Sequence, residues 1–256
     1  MSTANEHVFS HGLQDTRETI DAWSGRPWPV LRGWVALSLA IALTLLAAVW
    51  FVSGLLTPDL TPLHLPGLGP RTLAAIPADA RQAVVVTGRD RNSPQSTVVL
   101  YERTAAGWRA GASWPAHNAL KGWSDHHTGG DLRSPIGVYG LTDAGGLLGD
   151  PGTRLPYHRS GAFTSPGTGF EGEPLAGSFD YVIAINYNRE PGTSPLDWTR
   201  PLGAGRGGGI WFHVDHGGPT HGCVSVSEQH MKELLRVLDP GLHPVVVMGD
   251  AKSLAR

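Results

Sequence analysis

The longest uncharged stretch of the chain decides how the rest can be organised. Residues 33–57 hold 25 consecutive positions without Asp, Glu, Lys or Arg. A membrane-spanning helix needs about 20 apolar residues, whereas the apolar core of a cleaved signal peptide has about 7–15. Trp34 and Trp50 lie near the two ends of the stretch, where interfacial aromatic side chains are common. The stretch therefore predicts one transmembrane signal anchor.

The flanking charges predict the orientation of this anchor. Arg26 and Arg32 precede it, and the first Lys or Arg after it is Arg71. The positive-inside rule then places residues 1–32 in the cytosol as a flexible tail, and the rest of the chain outside the plasma membrane. A buried core helix is the alternative to an anchor. Cleavage after the segment is a second alternative, and it leaves the C-terminal part outside as well.

The remainder divides into a linker, a folded domain and a short tail. Prolines recur every few positions in residues 58–81, which predicts a semi-extended linker. The folded domain is expected at residues 82–250, and residues 251–256 are expected to be a C-terminal tail.

The folded domain is predicted to be mainly β. Glycine (34 residues) and proline (20 residues) are abundant, which favours turns and strands over a helical bundle. Short apolar runs at 83–87, 97–101 and 108–114 alternate with turn residues, a pattern that indicates an antiparallel meander. Further strands are expected at 137–141, 181–187, 209–214, 223–226 and 244–248.

One helix is expected towards the C-terminal end of the domain. Ser227 is a plausible N-cap, and Met231, Leu234, Leu235 and Leu238 follow at the i, i+3, i+4, i+7 spacing of one helical face. We interpret this stripe as core packing against a sheet.

Charge and cysteine content exclude several classes of function. Twenty basic and 22 acidic residues give a net charge of −2, which argues against general nucleic-acid binding. Cys223 is the single cysteine, so an intramolecular disulfide framework and a thiolate zinc cluster are both excluded. The thiol is a small buried side chain, a chance surface thiol or a nucleophile.

The stretch that favours a nucleophile is residues 208–226. It contains Cys223 and, ten residues earlier, His213. A thiol at its ordinary pKa is only a few per cent ionised at neutral pH, so catalysis needs a neighbouring base such as imidazole. Gly222 allows close backbone approach, and the amides of Gly222 and Cys223 are candidates for stabilising an oxyanion.

Four residues of this stretch carry a family resemblance. Thr220, His221, Gly222 and Cys223 resemble the Ser/Thr-His-Gly-Cys signature of the L,D-transpeptidases, the YkuD-type catalytic domain. Residues 130–139 (GDLRSPIGVY), 181–188, 210–213 and 231–249 resemble other segments of that domain, so that the likeness covers roughly residues 82–250. The chain is similar in this respect to the secreted or membrane-anchored actinobacterial members of that family.

The resemblance implies a β-sandwich-like domain with one C-terminal-side helix and no metal or cofactor. Its substrate class is the peptidoglycan stem peptide, and its reaction is transfer of an acyl group through a cysteine thioester in cell-wall cross-linking. Carried over, Cys223 is the nucleophile, His213 the general base and acid, and His221 a residue that lines and orients the site.

Two positions depart from the family pattern. The gap of ten residues between His213 and Cys223 is shorter than is usual, so either the loop is short or His216 is the base. Ser225 stands where Arg or Asn is usual. Further candidates for lining the substrate groove are His216, Thr220, Ser225, Tyr157 and His158, while His126 and His127 are expected on an exposed loop.

Two rival functions are kept open. A zinc-dependent wall hydrolase would use His213, His216 and His221 with Asp215, although the chain has no HExxH helix. A non-catalytic wall-binding protein of the same fold would keep the cleft without the chemistry. Protein partners are not predictable from the sequence.

Overall fold

The structure, a computed structural model, describes residues 63–256. Its mainly β character with few helices agrees with the prediction. The expected anchor at 33–57 lies outside the described residues. Within residues 63–256, every helix is too short to cross a bilayer.

The described residues form eleven strands and three α-helices. The strands are β1 (Gln82–Gly88), β2 (Gln95–Thr104), β3 (Gly107–His117), β4 (Trp123–Ser124), β5 (Ser134–Pro135), β6 (Gly137–Gly146), β7 (Tyr157–Arg159), β8 (Val182–Ile185), β9 (Trp211–Val214), β10 (Val224–Val226) and β11 (Val245–Asp250). The helices are α1 (Pro70–Ala74), α2 (Glu228–Val237) and α3 (Ala251–Leu254).

Nine strands form one mixed sheet that closes on itself. Their order is β11-β1-β2-β3-β10-β9-β8-β6-β7, and β6 pairs with β11 as well as with β8. The register of β6 shifts between Leu141 and Ala144, where its pairing passes to β8. Such a bulge bends a strand, so β6 can pair with β11 over its first part and with β8 over its second part. The expected meander is confirmed as β1-β2-β3, and its strands belong to this nine-stranded sheet.

The predicted helix is confirmed as α2. The Ser227 side chain accepts a hydrogen bond from the His230 amide and caps the first turn. Met231, Leu234 and Leu235 are fully buried and join the main hydrophobic cluster, which also contains Phe212 of β9. α2 therefore holds β9 from the core side.

A second hydrophobic cluster covers the outer face of β1 and β11. Leu65 and Leu254 are buried there beside Val85 and Val247. The Gly69 amide donates to the Leu254 carbonyl at 2.8 Å. From residue 63 onward, the expected linker is thus part of the folded unit, and so is the expected tail. Apolar side chains spaced among the prolines account for this packing.

Candidate active site

β9 and β10 bring the candidate nucleophile to the start of β9. The two strands are parallel neighbours, with Val224 opposite Phe212. Cys223 immediately precedes β10 and so lies beside Trp211. The Trp211 amide donates to Cys223 Sγ at 3.4 Å, and Sγ donates to the Gly209 carbonyl at 3.6 Å. Main-chain groups therefore hold the thiol against β9.

A cavity of about 410 Å³ opens over this thiol. Five residues singled out from the sequence line it: His213, His216, Thr220, His221 and Cys223. Loops between β7 and β9 supply the other side, with Phe179, Trp198 and Arg200 among their contributions. The sequence predicted the first group as neighbours, whereas it predicted for the second group only long loops at 142–178 and 188–208 of the kind that form binding surfaces.

His213 is held as a neutral base that faces the cavity. Its ring is 3% exposed, and Nδ1 lies 2.9 Å from the Val214 carbonyl oxygen. Because a carbonyl can only accept, Nδ1 carries the hydrogen and Nε2 is the acceptor. Burial lowers the pKa of His213 to about 4, although the bond to Val214 acts in the opposite direction. The imidazole is therefore uncharged and able to take a proton at neutral pH.

The Cys223 side chain is half-buried and protonated at rest. Burial raises the pKa of its thiol to about 11, against the opposing effect of the Trp211 amide. Among the described residues, the partners of Sγ are Trp211 and Gly209, and the thiol makes no hydrogen bond with His213. Catalytic hydrogen bonds are often long without substrate and tighten in the complex.

His216, the alternative base, stacks on His213. The ring centroids are 5.7 Å apart and the planes are nearly parallel. Its Nδ1 lies 3.1 Å from Glu173 Oε1, in the loop that follows β7. The two histidines thus form a layer in which His213 is fixed by β9 and His216 by a loop carboxylate.

Asp215 organises the other side of this layer. Its Oδ1 accepts from Ser225 Oγ at 2.7 Å and lies 2.8 Å from His117 Nδ1. Burial opposes ionisation of Asp215, but these two hydrogen bonds hold its pKa below the usual range. Ser225 is fully buried in β10, so it braces Asp215 and does not line the cavity as the sequence suggested.

Thr220 shapes the turn that presents the cysteine. Its hydroxyl donates to the Cys223 carbonyl at 2.7 Å, and its amide donates to the Asn118 carbonyl at 3.0 Å. The hydroxyl of Ser134, within the Gly-Asp-Leu-Arg-Ser-Pro segment, reaches the same Cys223 carbonyl at 3.4 Å. This contact explains physically why that segment belongs with the site.

Gly222 is packed too closely to carry a side chain freely. A Cβ there would lie 2.9 Å from Ile210 Cδ1 and 3.8 Å from His127 Cε1. His127 is 4% exposed, so the expectation that it is an exposed loop residue is wrong, whereas His126 is exposed. Tyr187 donates to the His127 carbonyl at 3.2 Å and holds it inside.

Three other candidates have separate positions. His221 lies on the cavity, and its ring contacts Phe170 with centroids 4.6 Å apart. Tyr157 and His158 do not line this cavity. The Tyr157 hydroxyl donates to the Leu148 carbonyl and its ring packs against the main hydrophobic cluster, whereas the His158 ring contacts Ser194 and Phe163.

The histidines do not form a metal centre. Among residues 63–256, no group of three or more His, Cys, Asp or Glu side chains has a metal-binding arrangement. The donor set proposed for a zinc hydrolase is therefore not assembled.

Fold and site together define the class of protein. The model of the L,D-transpeptidase catalytic domain, YkuD, matches residues 80–247. This match covers more than half of the chain, so the chain belongs to the L,D-transpeptidase (YkuD) family. The resemblance found in the Thr-His-Gly-Cys segment is confirmed.

Two solved structures are similar to the chain. Bd1075 of Bdellovibrio bacteriovorus is 19% identical with a TM-score of 0.38, and the match covers 75% of this chain and 54% of that one. The helical cell shape determining protein Pgp2 from Campylobacter jejuni is 16% identical with a TM-score of 0.41, covering 75% and 52%. The chain spans about half the length of each. None of the curated proteins compared matches it in sequence.

Proposed function

We propose that the protein is a peptidoglycan L,D-transpeptidase that works through a thioester at Cys223. The observation that carries this proposal is the meeting of Cys223 and His213 on one cavity, with His213 Nε2 fixed as a proton acceptor. Membership of the family supplies the substrate class, a tetrapeptide stem whose terminal D-Ala is joined through an L,D bond.

The acylation step runs as a proton relay. Cys223 Sγ attacks the carbonyl carbon of the L,D bond while its proton passes to His213 Nε2. Amides of Gly222 and Cys223 stabilise the negative oxygen. The C–N bond then breaks, His213 returns the proton to the leaving nitrogen, and D-Ala departs. An acceptor amine attacks the thioester, gives its proton to His213, and the thiol is restored.

The resting protonation states suit a thiol that reacts only with substrate. With the thiol pKa raised to about 11 and the His213 pKa lowered to about 4, both groups are neutral. A thiolate–imidazolium pair is not stored in the empty cavity. A protonated thiol also resists oxidation, which depends on thiolate character.

We propose that residues 33–57 anchor this domain on the outer face of the plasma membrane, where stem peptides are assembled. The support is the uncharged run and the arginines before it. External protease added to intact cells should remove the domain and leave a tagged N-terminus protected. Protection of the domain under the same treatment contradicts the orientation.

A non-catalytic wall-binding role is the second candidate. The observation in its favour is that the thiol bonds to Trp211 and Gly209 rather than to His213. A binding protein needs only the cavity, so substitution of Cys223 would leave its function unchanged.

One experiment decides between them. The full chain in detergent, as wild type, Cys223→Ala and the matched surface variant Arg109→Gln, is incubated with a disaccharide-tetrapeptide. Intact mass and free D-Ala are recorded. We expect a mass gain equal to the substrate minus D-Ala in wild type and Arg109→Gln, and none in Cys223→Ala. Folded wild-type protein without adduct or D-Ala contradicts the acyltransferase and supports the binding role.

A further inference from the structure

A cationic side chain lies in the cavity wall and takes no part in the chemistry above. Arg200 is partly buried and lines the same cavity as Cys223 and His213. It belongs to the loop between β8 and β9, where the sequence shows no motif. A guanidinium stays charged at all relevant pH values, so its position is a fixed positive charge in this wall.

The guanidinium is fixed by its own loop. Nη1 donates to the carbonyls of Asp197 and Thr199 at 3.1 and 2.9 Å. Its central carbon lies 5.1 Å from the centroid of the Trp198 ring, a cation–π contact. The charge is thus held in one place before any ligand arrives.

Glycines bring this charge up to the reacting centre. A Cβ at Gly208 would fall 2.3 Å from Arg200 Nε, and at Gly209 it would lie 3.7 Å from Nη2. Both glycines have positive φ, 146° and 67°. The Gly209 carbonyl is also the acceptor of the Cys223 thiol. Gly209 therefore lies next to both the guanidinium and the nucleophile.

In the described part of the chain Arg200 forms no salt bridge. Burial lowers its pKa, although the nearby Asp197 carboxylate acts in the opposite direction. The hydrogen-bond partners of Arg200 there are main-chain carbonyls. Asp197, which also lines the cavity, uses Oδ1 to accept from the Thr199 amide at 2.8 Å. The other titratable groups on the cavity are His213, His216, His221 and Cys223. A carboxylate from outside would be the first acid to pair with Nη2.

We propose that Arg200 binds the free terminal carboxylate of the donor peptide and makes the enzyme select stems that end in one. The inference rests on the proposed function. In such a donor only the amide nitrogen and one α-carbon separate the terminal carboxylate from the carbonyl that Cys223 attacks. The anion must therefore lie close to the thiol, on the side from which the leaving residue departs. Arginine is suited to this because its planar fork pairs with both carboxylate oxygens.

The test compares two donors that differ in one group. The tetrapeptide with a free carboxylate and the same peptide as its C-terminal amide are offered to full-length wild type, Arg200→Gln, Arg200→Lys and the surface control Arg109→Gln. We expect wild type and control to form thioester about 10- to 100-fold faster, in kcat/KM, with the acid than with the amide. In Arg200→Gln this ratio should fall towards one, and Arg200→Lys should be intermediate. An unchanged ratio, or an equal loss on both donors, overturns the proposal.

A binding arm separates this inference from the proposed function. Affinities of both peptides are measured by calorimetry for Cys223→Ala with and without Arg200→Gln. If wild type forms no thioester, the transferase fails, but tighter binding of the acid that disappears with Arg200→Gln still supports the carboxylate site. Equal affinity for acid and amide in Cys223→Ala overturns it.

Discussion

The cavity has two sides that differ in how they are built. The sheet floor, made of β9, Cys223 and the turn before it, is buried and held mainly by main-chain hydrogen bonds. The loop wall, made of residues 161–180 and 189–200, is partly exposed and joined by side chains, as in the pair of Glu173 with His216. Burial makes the floor neutral, because it raises the pKa of Cys223 and lowers that of His213.

The wall carries charges, whereas the two reacting groups of the floor, Cys223 and His213, are neutral. The pKa of Glu173 is lowered, chiefly by a hydrogen bond with its own backbone, so the group is an anion, and Arg200 is a cation. Under the proposed function, proton transfer belongs to the floor, and recognition of charged substrate groups belongs to the wall. Four measurements test this division.

The largest effect should come from replacing the two stacked histidines, His213 and His216, one at a time. His213→Gln removes the acceptor at the floor and should lower kcat/KM for thioester formation by about 10²- to 10⁴-fold. His216→Gln removes a wall contact and should cost about tenfold or less. Both variants are checked for an unchanged far-ultraviolet spectrum. The reverse order of effects would make His216 the base and break the division.

Stability should follow the same division. Phe212→Ala opens a cavity in the fully buried floor and should lower the free energy of unfolding by about 3–5 kcal/mol. Phe170 lies in the wall and is 39% exposed. Phe170→Ala should therefore lower the free energy of unfolding by less than about 1 kcal/mol. Denaturant unfolding followed by tryptophan fluorescence measures both. Equal losses would mean that the wall is as cooperative as the floor.

The floor should also set a dependence of stability on pH. The pKa of His213 is about 4 in the fold against an ordinary 6.5, so between these values only the unfolded chain binds the proton. Stability from this group is complete above pH 6.5 and is lost as pH falls through 4, by about 3 kcal/mol in all. His117, whose pKa is raised by its bond to Asp215, acts with the opposite sign. The difference between wild type and His213→Gln isolates the effect, and parallel pH curves would contradict it.

The smallest effect concerns the thiol itself. Because burial raises the pKa of Cys223 from 9.0 to about 11, alkylation by iodoacetamide should rise with pH to a midpoint near 11, and unfolded protein should give one near 9. His213→Gln should leave this midpoint in place, since the resting thiol bonds to Trp211 and Gly209. An alkylation rate that is already high and independent of pH around neutrality, and that falls in His213→Gln, would instead show a resting thiolate–imidazolium pair of Cys223 and His213.

The sequence predicted the floor well because its parts are close in the chain. His213, Thr220 and Cys223 lie within eleven residues, and the apolar runs around them become β9 and β10. The capped stripe beginning at Ser227 is equally local and was predicted as the helix α2. Short-range spacing carries such information directly.

The wall could not be predicted in the same way. Glu173 and Arg200 come from glycine- and proline-rich loops without periodicity, and only the folded chain places Glu173 against His216 and Arg200 on the cavity of Cys223. His127 was placed wrongly for the same reason, because contacts with Tyr187 and Gly222 bury a polar loop residue. The closure of β6 on β11 depends on a register shift that residue patterns do not indicate.

The clasp between the two ends of the described chain has a mechanical consequence. Gly69 donates to the Leu254 carbonyl and Arg71 to that of Arg256, at 2.8 and 2.9 Å. A Cβ at Gly69 would meet the Ala255 carbonyl oxygen at 2.3 Å, so the two segments are in close contact. A pull on the chain at residue 63 meets this clasp before it reaches β1. Tension applied at that end therefore loads the segment that follows β11 before it loads β1.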